Sequence, residues 1–212
     1  TALQNASGVS ARVQYGVYEY YTFRGFSSSA VMLVDGMRLE GNRTNTQLNN
    51  VEQVSVLKGP SSVLYGAEAL SGAINVIRKK PQAQRAYDLS YRAGRFGLQQ
   101  VGGGATGSLF HSERLLYRVD TMLEDSDGWC GAGARRFNVS PTLTWLINNK
   151  VRLSFFQGLT RDHFDLDGGI PTALYLKPGF DISHRFNPVQ DFELSRESQS
   201  QLFLNAQLTP RL

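Results

Sequence analysis

One cysteine in 212 residues, Cys130, excludes an internal disulfide and any metal or redox site built on paired thiolates. Beside Trp129 it reads as an ordinary loop or strand residue. No apolar run approaches the roughly 20 residues that a membrane-crossing helix requires. Strands cross a membrane with a far weaker signal per segment, so a barrel stays open. No secretory signal peptide opens the chain, and Thr1 reads as mature sequence. Lys and Arg exceed Asp and Glu by only four and are scattered. A nucleic-acid binder needs a basic face or stripe, and none is present. Proline is scarce, at 7 residues, whereas glycine (21) and aromatics (11%) are plentiful. That balance suits a chain rich in strands and turns.

The first segment, residues 1–82, mixes short strands with turn signals. Ala30 to Val34 is an apolar run ending in Asp35-Gly36, a tight-turn dipeptide, and Met37 to Leu39 returns as a second strand. Val51, Val54, Val56 and Leu57 predict another strand, stopped by Gly59-Pro60. Pro60 suits the first position of a helix, where its missing N–H costs nothing. Ser61 to Tyr65 then makes one or two turns, with Gly66 as a left-handed exit. Ala73 to Ile77 is the last strand, closed by Arg78-Lys79-Lys80-Pro81. The sum is a small α+β domain around one thin core. Gly59 to Gly66 is not a phosphate loop, since no Gly-Lys-Ser/Thr follows. Gly102-Gly103-Gly104-Ala105-Thr106-Gly107 has no strand-to-helix context for a dinucleotide. It sits in an alternating segment, where glycine relieves crowding as strand side chains face a packed plug.

From residue 86 to 212 the pattern becomes long alternation. Leu115, Tyr117, Val119, Thr121 and Leu123 share one face, opposite Leu116, Arg118, Asp120, Met122 and Glu124. Similar alternation recurs around Phe137 to Trp145, Val151 to Thr160 and Gln201 to Leu208. A soluble sandwich produces the same pattern by burying its apolar face. Strands near 10 residues or longer, with Tyr87, Trp145 and Phe192 near segment ends, favour a membrane barrel. Connections alternate as well. Those near His111 to Glu113 and at Asn148-Asn149 are short, whereas Gly128 to Arg135 and Gly168 to Gln190 are long. Short inner turns and long outer loops mark outer-membrane barrels. About six antiparallel strands are expected, over 86–96, 98–110, 114–126, 136–147, 150–163 and 192–209.

An ordered series of short motifs then carries a resemblance: Arg24-Gly25-Phe26, Val34-Asp35-Gly36, Val56-Leu57-Lys58-Gly59-Pro60-Ser61-Ser62, Leu64-Tyr65-Gly66, Gly72-Ala73-Ile74-Asn75 and Lys79-Lys80-Pro81. The chain resembles the TonB-dependent outer-membrane receptors, in the branch that imports ferric siderophores. It departs from the family pattern at Ser55, where a second acidic residue is usual after Glu52, and at Gln53, often Arg. The resemblance implies an α+β plug domain followed by antiparallel transmembrane β-barrel strands. It further implies a multi-pass barrel in the outer membrane of a Gram-negative bacterium, of about 22 strands around the plug. The chain is then a fragment, lacking the plug N-terminus with its TonB-binding motif and most of the barrel.

The resemblance also implies active uptake without bond chemistry. The partners would be a ferric siderophore, TonB of the TonB-ExbB-ExbD complex, and outer-membrane lipid. No cofactor is expected, because iron arrives already chelated. Candidate ligand contacts at the plug apex are Arg38, Glu40, Asn42, Arg43 and Asn45. Aromatic contacts from the outer loop are His163, Phe164, Tyr175 and Phe180. Arg24 and Lys58 would lock the plug by facing acidic residues on the inner barrel wall, since buried charges need partners. The acidic stretch Arg161 to Gly169, with Asp162, Asp165 and Asp167 around His163, contains only part of a calcium-loop spacing, so no metal site is expected. Alternatives are a receptor of the same kind for haem, cobalamin or an oligosaccharide, or a truncated, non-functional receptor. A passive porin would not carry a separate plug.

Overall fold

The computed structural model describes residues 7–23, 30–38, 47–59, 72–110, 112–183, 186, 188 and 190–207. The expected helix at Ser61 to Tyr65 and the Arg24-Gly25-Phe26 motif lie outside them. Two units emerge. The first holds Thr1–Lys79 and Leu166–Pro188, and the second holds Lys80–Asp165 and Val189–Leu212. The first boundary thus falls three residues before the expected end of the plug. The second unit is interrupted by a loop, where sequence had predicted one continuous span.

In the first unit, β1 (Val9–Gln14) and β2 (Tyr18–Phe23) form a hairpin, with Val9 opposite Phe23 and Gln14 opposite Tyr18. Its turn uses left-handed conformations at Tyr15 (φ 55°) and Gly16 (φ 74°). A four-stranded sheet follows in the order β4 (Met37–Arg38), β3 (Ala30–Val34), β6 (Gly72–Arg78), β5 (Val51–Lys58). Asp35 (φ 50°) and Gly36 (φ 81°) both take positive φ, as a two-residue I′ hairpin turn between β3 and β4 demands. β3 pairs parallel to β6, and β5 runs antiparallel to it with a bulge between Val51 and Gln53. β6 is central, and its Gly72, Ala73, Ile74, Val76 and Arg78 are buried. One core holds Val9, Phe23, Val34, Ile74 and Val76, flanked by Tyr21, Met32, Val51, Val54 and Val56. Val31, Leu33 and Ala73 form a second cluster.

The second unit is one antiparallel meander, each strand pairing with its sequence neighbours in the order β12 to β7. The strands are β7 (Ala86–Ala93), β8 (Gln99–Ser108), β9 (Leu115–Ser126), β10 (Ala134–Leu146), β11 (Val151–Asp165) and β12 (Phe192–Ala206). All six expected strands are present. At the β10–β11 turn, Asn148 Oδ1 accepts from the backbone N–H groups of Lys150 (2.8 Å) and Val151 (2.9 Å), an Asx turn that permits a short connection. Cys130 lies in a 3-10 turn, Trp129–Gly131, with φ 58° and partial exposure. A four-residue helix, α1 (Thr172–Tyr175), occupies the longest loop.

The sheet's burial is inverted relative to a soluble sandwich. On β9, Arg118 (8%) and Asp120 (3%) are hidden, whereas Leu123 on the opposite face is 56% exposed. On β10, Arg136, Asn138, Ser140 and Thr144 are buried while Phe137, Leu143 and Trp145 are exposed. Leu89, Phe155, Leu159, Leu202 and Leu204 continue the outward apolar face. Water would not tolerate so broad an exposed apolar face on a monomer. A bilayer would require it.

Candidate functional site

Alternation on long strands gathers Arg118, Asp120, Arg136 and Asp162 on one hidden wall of the second unit. Arg118 donates Nε to Asp120 Oδ2 (2.8 Å) and Nη2 to Asp120 Oδ1 (2.7 Å), and reaches Asp88 Oδ1 at 3.5 Å. The two-pronged pairing fixes the guanidinium's plane. Farther along, Arg136 Nη2 meets Asp162 Oδ2 at 3.3 Å, and its guanidinium lies 5.4 Å from the Phe164 ring centroid, within cation–π range. Asn138 Nδ2 donates to Thr160 Oγ1 (2.9 Å), and Ser140 Oγ donates to Asn138 Oδ1 (2.8 Å). These buried charges are paired, as the cost of desolvation demands.

The β8 glycines serve this wall. A Cβ on Gly104 would collide with Asp88 Oδ1 and stand 2.9 Å from Asp120 Oδ1. One on Gly102 would stand 2.8 Å from Ser90 Oγ. The sequence predicts glycines relieving crowding against a packed plug, whereas the groups nearest to Gly102 and Gly104 belong to the neighbouring strands of the same sheet.

In the first unit, the Asp35-Gly36 turn is braced from both sides. Asp35 N–H donates to Val76 O (2.9 Å), and Gly36 N–H donates to Asn75 Oδ1 (3.0 Å). Asp35 Oδ1 accepts from Arg78 N–H (3.1 Å), and Asp35 Oδ2 accepts from Arg78 Nε at 2.6 Å. Burial lowers the Arg78 pKa and Asp35 opposes the shift. Arginine is so strong a base that the guanidinium stays charged beside Asp35. The pairing was missed in the sequence because Asp35 read simply as a turn residue.

Of the expected apex residues, Arg38 is exposed at the end of the short β4 strand, two residues past this braced turn. Glu40, Asn42, Arg43 and Asn45 lie outside the described residues, as does Arg24. Lys58 ends β5 in an exposed position and donates Nζ to Ser7 Oγ (3.0 Å).

The loop group separates. Sequence placed His163 and Phe164 in the long loop, but β11 runs to Asp165 and includes both. Adjacent strand residues point to opposite faces. Phe164 is therefore buried beneath Arg136, whereas His163 stacks on Phe192 (centroids 5.2 Å apart, planes at 14°) on the other side. They cannot grip one ligand together. Tyr175 is exposed on α1, and Phe180 stacks on Phe186 at 6.0 Å. The same alternation splits the acidic stretch, since Asp162 turns inward to Arg136 while His163 lies 3.5 Å from Asp165. Among the described residues, no three His, Cys, Asp or Glu side chains converge as metal ligands.

A small domain with a mixed sheet, followed by long antiparallel strands that hide polar groups and expose apolar ones, fits a plug domain followed by membrane β-strands. Residues 1–73 match the family model "TonB-dependent Receptor Plug Domain", so the first third of the chain is a plug domain of the TonB-dependent receptor kind. It is 29% identical over 192 residues to the ferrioxamine B receptor of Salmonella typhimurium, covering 81% of this chain and 27% of that one. To the ferrichrome outer membrane transporter/phage receptor of Escherichia coli it is 28% identical, covering 74% and 22%. The solved ferric-catecholate import receptor Fiu of E. coli, in an open form, superposes with a TM-score of 0.82 at 25% identity, over 95% of this chain and 32% of that structure. The chain thus spans about a quarter of the length of the curated relatives it matches.

Proposed function

We propose that this chain supplies plug and early barrel strands to an outer-membrane transporter that takes up ferric siderophores with energy from TonB. The observation that carries this reading is the joining of a matched plug domain to a sheet that hides the paired Arg118, Asp120, Arg136 and Asp162 and exposes a broad apolar face. The relatives point the same way, being receptors for ferrioxamine B, ferrichrome and ferric catecholates. In this reading iron enters as its chelate and needs no protein ligand. The apex after the braced Asp35-Gly36 turn, with Arg38 and the segment carrying Glu40, Asn42, Arg43 and Asn45, meets the chelate. Tyr175 and Phe180 offer aromatic contacts from the loop. Arg24 and Lys58 hold the plug against the barrel wall.

The test is uptake of radioactive iron by iron-starved cells deleted for the gene and complemented with its whole reading frame. Ferric hydroxamate and ferric catecholate chelates are supplied separately. Uptake of one class should return on complementation and vanish in a TonB-deficient strain. Unchanged uptake of every iron chelate, with haem, cobalamin or an oligosaccharide restored instead, would overturn the siderophore assignment.

A further inference from the structure

The outward face of the second unit is apolar over most of its height, but its upper margin is cationic. Arg161 on β11 and Arg196 on β12 occupy directly opposed positions, and both are exposed. Arg135 on β10 pairs in register with His163, one outward position above Arg161. Side chains directly opposed across strands stand about 5 Å apart at Cβ, and like charges there repel. Arg135 has an exposed partner, Asp125, at 3.3 Å. Among the described residues, Arg161 and Arg196 have no carboxylate within ion-pair distance. Two adjacent guanidiniums therefore face outward uncompensated, at the strand ends that carry the longest loop, 166–191.

A groove of about 540 Å³ runs across this margin. The three arginines edge it, and Val101, Leu123 and Phe137 form its apolar part. Leu159 adds exposed apolar surface two residues below Arg161, and the stacked His163–Phe192 pair lies above. A ligand matching this arrangement carries an anion with several acceptor oxygens at one end and hydrocarbon at the other.

We propose that Arg161 and Arg196, assisted by Arg135, bind the phosphate of a phosphorylated lipid headgroup in the outward-facing leaflet. Planar guanidinium forks match phosphate oxygens in pairs. The acyl chains lie along Leu123, Phe137 and Leu159. An arginine on the lipid face costs little near the interface compared with the bilayer midplane, so these positions are sustainable. The phosphate removes the repulsion between them. The inference rests on the barrel reading of the second unit and is independent of the transported ligand.

The protein expressed from its whole reading frame is purified in detergent and titrated with a bisphosphorylated glycolipid, with the same lipid dephosphorylated, and with inorganic phosphate. Bound lipid is counted by native mass spectrometry. The phosphorylated lipid should bind at least about tenfold tighter than the dephosphorylated form. Arg161→Gln with Arg196→Gln should erase that preference, Arg161→Lys with Arg196→Lys should keep only part of it because an ammonium supplies charge without the fork, and each single Gln variant should fall between. Heat-dependent gel migration reports folding, and the single variants carry the test if the double one misfolds. Equal binding of both lipids, an unchanged preference in the Gln variants, or inorganic phosphate bound as tightly as the lipid would overturn the proposal. Intact iron uptake alongside any of these results would overturn this site alone.

Discussion

At the scale of single residues, Asp35 joins two roles that a sequence displays separately. Its positive φ shapes the β3–β4 turn, while its carboxylate neutralises Arg78, whose side chain is only 8% exposed. Asp35→Ala removes the only carboxylate seen paired with that guanidinium among the described residues. The expected loss is about 3 kcal/mol, at the low end for a broken buried pair because Asp35 is itself partly exposed. Urea unfolding followed by proteolysis of the plug measures it. Asp35→Asn with Arg78→Leu should recover much of the loss, since exchanging both partners leaves no orphaned charge. The turn was legible from Asp35-Gly36 alone. Its ion pair was not, because Arg78 lies 43 positions away and reads as part of a basic terminus to β6. Phe164 and His163 teach the converse. Alternation on β11 already separates them, but the expected strand stops at His163, two residues short of Asp165, which leaves Phe164 in the loop and His163 at its edge.

At the scale of elements, β8 holds a built-in contrast. Gly104 faces the Arg118–Asp120–Asp88 cluster, whereas the nearest atoms to a Cβ on Gly103 are 3.8 Å away. Gly104→Val should therefore destabilise the sheet by about 1–3 kcal/mol, and Gly103→Ala should stay within about 0.5 kcal/mol of the parent. Thermal loss of the heat-modifiable gel band distinguishes them. Equal effects would mean that the paired wall exerts no constraint on β8. The six meander strands were readable because a period of two over ten or more residues leaves little room for another structure. The β1–β2 hairpin was not read. Its turn is built on Tyr15-Gly16 rather than an Asn-Gly or Asp-Gly pair, and a tyrosine at positive φ gives no local warning.

At the scale of the whole molecule, the second unit is a sheet with two free margins among the described residues, β7 and β12. Every residue of β7 is exposed. Unpaired edges template further pairing, and the apolar outward face adds to the hazard. A polypeptide of these 212 residues alone should therefore self-associate at micromolar concentration, even in mild detergent, by sedimentation velocity. A monodisperse monomer would show that its edges are protected. Sequence alternation foretold the faces but not which one would be hidden, because a sandwich and a barrel share the same period. The inverted burial of Arg118 and Leu123 decides between them.

The hydrogen bond from Asp167 N–H to Tyr15 O (3.1 Å) belongs to the first unit, although most of the chain lies between its two residues. A contact of such high sequence separation carries the closure entropy of a long loop, so it is favoured only after pairing of the intervening strands has shortened that loop. Docking of Asp167, at the start of the long loop, onto the β1–β2 turn is thus a late event in maturation. Cells caught partway through assembly would carry this loop in a protease-sensitive form, distinct from the finished protein.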